Sequence, residues 1–160
     1  MTNPEEIAEV FGIFHDGSIA RGTRMGRTTE FVVEIEYLAE RIRPSDRSFT
    51  VRLDDLEELR FTPWAAEGQP EIPAVTDFAE ITRLDLGILS AEAEGTRVKI
   101  SCTQDRPHPD YHGGILEMTV GACRVFDESG REWSLEELRR LSDEYWCEWA
   151  ARKKNAPSDP

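Results

Sequence analysis

Cysteine is scarce in this chain and lysine is hardly used. The three cysteines, Cys102, Cys123 and Cys147, are widely spaced and odd in number. That argues against a disulfide framework and for reduced, mostly buried thiols. Lysine occurs only at positions 99, 153 and 154, beside 16 arginines. No apolar run approaches the roughly 20 residues that a membrane-spanning helix needs. Met1 to Glu9 is acidic and lacks the basic start and apolar stretch of a signal peptide, so the cytoplasm is the expected location. The Gly-x-Ser-x-Gly elbow, the phosphate-binding glycine loop and the dinucleotide-binding glycine fingerprint are all missing, and no cofactor is expected.

What the chain has in abundance is acid. Its 160 residues carry a formal net charge of −13, with 32% charged and 39% hydrophobic residues. A field of that sign repels nucleic acid and anionic membranes and favours a basic protein partner. The 14 aromatic residues spread along the sequence supply enough apolar mass for a core, which sets the chain apart from a disordered one. The length suits one domain, expected over residues 1–154, with 155–160 as a disordered tail.

The central feature is Glu30 to Leu38. Phe31, Val33, Ile35 and Tyr37 alternate with Val32, Glu34 and Glu36, the period of a half-buried strand. Phe31, Ile35, Leu38 and Ile42 also share a helical face, but the β-branched residues favour the strand. Upstream, Asn3 to Glu6 opens a short turn, and Val10 to Phe14 reads as a strand. Asp16-Gly17 then carries a hairpin signal into a return strand beginning at Ile19. Arg21 to Arg27 reads as a flexible basic tract. Downstream, strands are expected over 48–53, 59–61, 86–93, 96–102, 115–120 and 123–126. A bulge is expected near Ile88-Leu89, and the last two segments could be one strand kinked at Gly121. Asp77 with Glu80 caps one or two helical turns.

The C-terminal helix is the clearest element. Ser134 with Glu137 forms a capping box, and Trp133 and Leu138 occupy the positions of a hydrophobic staple. Leu135, Leu138, Leu141, Tyr145 and Trp149 make one apolar stripe, with Trp146 at its edge. The fold class that follows is α+β: an antiparallel sheet of about six to eight strands with this helix packed on one face.

Two residue sets carry candidate function. Glu34 and Glu36, and likewise Glu92 and Glu94, fall two apart on strand faces and offer carboxylates to a basic partner. Cys102, at the end of its expected strand, and His108, Asp110 and His112, in the loop over 103–114 that follows, form the densest set of metal-ligand types. They lack the paired cysteine or nearby fourth ligand usual at zinc sites.

The segments Phe14 to Ile19, Ile35 to Tyr37, Ile88 to Glu92, Ser134 to Leu138 and Tyr145-Trp146 together resemble small acidic bacterial proteins of uncharacterised activity. In size and charge the chain also resembles the immunity proteins of bacterial toxin systems. That resemblance implies a non-enzymatic binding or inhibitory protein acting on a protein partner. The alternative is a small metal-dependent or hydrolase-like enzyme built on the 103–114 loop.

Overall fold

A computed structural model describes residues 1–65, 71–104 and 111–155. The chain begins with helix α1 (Pro4–Ile13), where a strand was expected over Val10 to Phe14. Asn3 Oδ1 accepts the Glu5 N–H at 3.1 Å, Pro4 takes the first helical position, and Glu5 and Glu6 sit in the first turn. All three features favour a helix start. Ile7, Val10, Phe11 and Phe14 recur at three- and four-residue spacing and are completely buried. A short apolar run satisfies both periods, and the cap upstream of it decides.

Asp16, with φ of 66°, turns the chain out of α1 into strand β1 (Ser18–Met25). The expected Asp16-Gly17 hairpin is therefore a helix-to-strand link. The basic tract expected as flexible is the outer length of β1 and its turn into β2 (Thr28–Glu34). The strand expected to reach Leu38 ends at Glu34, where the chain leaves the sheet for helix α2 (Glu36–Ala39). Leu38 is fully buried from that helix, so the helical period competing in the sequence wins at this end.

The remaining elements are β3 (Ser48–Asp54), β4 (Glu58–Pro63), helix α3 (Phe78–Ile81), β5 (Leu86–Glu94), β6 (Arg97–Gln104), β7 (Gly113–Thr119), β8 (Ala122–Asp127), β9 (Glu132–Trp133) and helix α4 (Leu135–Asn155). The strands form one open antiparallel sheet in the order β4-β7-β6-β5-β1-β2-β3-β8-β9. The nine strands among the described residues slightly exceed the expected number, the short β9 among them. The bulge in β5 is present as a register shift between Ile88 and Ser90. Asp77 caps α3 by accepting the Glu80 N–H at 2.8 Å.

β7 and β8 pair with different strands but stay in line across Gly121. The Gly121 N–H donates to Asp54 O at 3.1 Å and the Glu57 N–H to Thr119 O at 2.9 Å. The β3·β8 ladder thus runs on into β4·β7, and the sheet curls back on itself. α1 occupies the hollow, packed on β5 and β6, with Phe14 stacked on Phe49 of β3 at 5.1 Å. At the mouth, α4 packs against the concave side of the sheet through α1 and α2. Its capping box is formed: Ser134 N–H donates to Glu137 Oε2 at 2.9 Å and Glu137 N–H to Ser134 Oγ at 3.3 Å. No helix among the described residues is long and apolar enough to cross a membrane. Apart from Asn155, the last residue of α4, the expected tail lies outside the described residues.

Candidate functional site: a groove along strand β5

A groove of about 530 Å³ runs between α1, β5 and α4. Its floor is made of small side chains. Ala8 and Gly12 lie one helical turn apart on α1, facing Ala91 and Ala93 of β5. Ile13 is the largest apolar side chain of the lining, and Ser142 of α4 closes the far wall. The groove exists because alanine and glycine hold α1 and β5 together here without filling the space between them.

Its polar edge is acidic. Glu5 and Glu9 project from α1, and Glu92 borders the groove from β5. Glu9 is engaged by Arg139 of α4 through two bonds of 2.5 and 2.7 Å. The hydrogen bond from that guanidinium holds the Glu9 carboxyl below its usual range. Glu5 makes no ion pair among the described residues, so its charge faces the groove uncompensated.

One end of the groove is aromatic. The His15 ring stacks on Trp146 with centroids 5.0 Å apart, and Tyr37 donates its hydroxyl to the His15 carbonyl at 2.8 Å. The Tyr37 ring itself lies tilted against Tyr145, with centroids 4.3 Å apart. Burial first, then the nearby Asp16 charge, raises the Tyr37 phenol well above its ordinary pKa. His15 Nε2 lies 3.6 Å from Asp16 Oδ2. His15 and Ser142 line the same groove, but no hydrogen bond joins them, so the base–nucleophile contact that acyl-transfer chemistry needs is not formed.

The residues named from sequence fall in different places. Glu92 and Glu94 are exposed on the outer face of β5, where both carboxylates help hold Lys99 in its charged form. Lys99 also lies 3.8 Å from Glu117. Glu34 ends β2, whereas Glu36 has moved into α2, 3.5 Å from Arg47, so those two do not share a strand face. Glu34 pairs with Ser18 and Ser18 with Gly87, and Glu92 lies about 17 Å further along β5. The two acidic pairs therefore form separate patches.

Of the metal-ligand types, Cys102 is completely buried from β6, and burial pushes its thiol up to about 12. His112 is exposed, while His108 and Asp110 lie outside the described residues. Among the described residues no three His, Cys, Asp or Glu side chains converge on a point that could hold a metal.

Sequence reasoning missed Glu5, Ala8, Glu9 and Gly12 because it read part of α1 as a strand. Their three- and four-residue spacing, opposite the Ile7, Val10 and Phe11 stripe, was the available signal. The chain matches no protein-family model, no curated protein and no solved structure.

Proposed function

We propose that this is a non-enzymatic binding protein that holds a basic segment of a protein partner in the groove between α1, β5 and α4, in the manner of an inhibitor or immunity protein. The groove itself supports this best: a small-residue floor bordered by Glu5 and Glu92, in a chain of net charge −13. Carboxylates at the rim of an otherwise apolar trough select a cationic chain and speed its approach. Among the described residues the enzyme alternative gains no supporting contact, since Cys102 is sealed in the core and His112 faces solvent.

The test is capture from the source cell by the wild type and by a Glu5→Gln/Glu92→Gln/Glu94→Gln variant, each at low and high salt. A basic protein retained by the wild type, lost from the variant and lost at high salt is the expected result. Screening shortens charge steering to a reach of about 8 Å at physiological ionic strength, so association should slow with salt far more than dissociation quickens. A partner that is indifferent to both the variant and salt would overturn the proposal.

A further inference from the structure

β5 is only briefly paired on the side facing β1. That ladder consists of Ser18↔Gly87 and Ile19↔Leu86, and Ile88 adds bonds to Gly17 and Asp16: its N–H donates to Gly17 O at 2.7 Å and its carbonyl accepts the Asp16 N–H at 2.9 Å. Beyond the bulge, β6 is the only strand among the described residues that pairs with Ser90 to Glu94. The turn Gly95-Thr96, with Gly95 at φ of 61°, is a two-residue hairpin loop. Such a loop makes Glu94↔Arg97 a hydrogen-bonded pair. By alternation Glu92 and Ser90 also bond β6, and the N–H and C=O groups of Ala91 and Ala93 point to the opposite edge. The bulge leads to the same assignment, because one inserted residue shifts the outward-facing set from Leu86 and Ile88 to the odd positions. Among the described residues, nothing bonds the Ala91 or Ala93 backbone on that edge. These are the two strand residues that floor the groove.

We infer that the groove is a strand-addition site: an extended basic segment of the partner pairs with the open edge of β5 at Ala91 and Ala93, becoming an extra strand beside α1. Strand addition here presupposes that the groove takes a basic segment, as proposed above. An exposed row of unpaired backbone groups is a template for another chain, and main-chain bonds then supply affinity while alternate side chains supply specificity. Side chains of the added strand on the Ala91 and Ala93 face meet Ala8, Gly12 and Ile13, so they are small or branched and apolar. Those on the other face lie beside Glu92 and Glu94, so they are lysine or arginine. A second copy of this chain fits poorly, because each copy carries a charge of −13.

The probe is a short blocked peptide alternating lysine and valine, added to the full chain. Two N-methylated versions, one blocking the lysine amides and the other the valine amides, each remove the hydrogen-bond donors of one peptide edge. One version should lose about tenfold or more in affinity and the other should bind like the parent. Amide exchange should slow at Ala91 and Ala93 on peptide addition and stay unchanged at Ser90, Glu92 and Glu94, already bonded to β6. Ala93→Pro removes an edge N–H that the sheet does not use, and should abolish binding with the circular dichroism retained. If that variant does not fold, the peptide and exchange measurements decide alone. Salt-sensitive binding with both N-methylated versions equal and no new protection would overturn strand addition and leave the groove as a purely electrostatic site. Absence of any peptide binding would overturn strand addition, while the capture experiment judges the proposed function separately. Protection of Ala91 and Ala93 that grows with protein concentration alone would show that a second copy takes the edge, and would also overturn it.

Discussion

Asp127 accepts the indole N–H of Trp133 at 3.0 Å. The bond ties the turn after β8 to the residue before the N-cap of α4, so that the sheet edge and the last helix are set by one carboxylate. The same side chain accepts the Ser129 N–H at 2.8 Å, the Ser129 hydroxyl at 2.5 Å and the Arg131 N–H at 3.0 Å. The Trp133 ring in turn meets Phe49 edge-on at 6.3 Å, which joins this corner to the core.

A pH dependence follows. Burial raises the Asp127 pKa, but the bonds from Ser129, Trp133 and Arg131 outweigh it, and the carboxyl ends below its ordinary value. A group with a depressed folded pKa stabilises fully above the unfolded value of about 3.9, and the contribution disappears as pH falls through the folded one. Asp127→Asn should therefore be less stable than wild type at pH 7, and the gap should narrow toward pH 3. Urea midpoints followed by tryptophan fluorescence at the two pH values measure it. A gap of equal size at both would remove the carboxylate from the account.

Gly22 of β1 lies against α3. A Cβ there would come within 2.9 Å of Phe78 Cζ and closer still to Thr82 Cγ2. Gly22→Ala should cost about 1–3 kcal/mol, the usual penalty for overpacking a filled contact. Adding Thr82→Ser, which deletes the clashing methyl, should recover part of that loss. Thermal denaturation of the single and double variants checks both. A double variant no more stable than Gly22→Ala would place the strain elsewhere.

The three thiols should divide sharply. Burial pushes both Cys102 and Cys123 up to about 12, whereas Cys147 is exposed on α4. A colorimetric thiol reagent should titrate Cys147 alone in the native protein and all three in denaturant. Rapid native reaction at Cys102 would show that the sheet opens at β6.

Legibility followed range. The capping box of α4, the cap of α3, the β5–β6 hairpin and the bulge near Leu89 depend on residues a few positions apart, and all could be read. α1 could not, because Val10 to Phe14 is apolar enough to be buried as either element. The end of β2 was ambiguous for a related reason: Ile35 satisfies both periods, Tyr37 continues the strand and Leu38 the helix, and only packing chose between them. Of the candidate site, Glu92 was legible as an exposed carboxylate. Its neighbours Ala8, Gly12, Ala91 and Ala93 were not, since nothing marks a small residue as functional until two elements are seen to approach each other.

The sequence by itself determined the class of fold, the acidic surface and the position of the last helix, because alternation, capping and charge act locally or in sum. Only the tertiary structure decided where β1 stops pairing with β5. That depends on Asp16 turning the chain out of α1 and on α1 lying in the hollow of the curled sheet, both consequences of contacts between residues far apart in the chain. Among the described residues, the edge at Ala91 and Ala93 is what those long-range contacts leave unpaired.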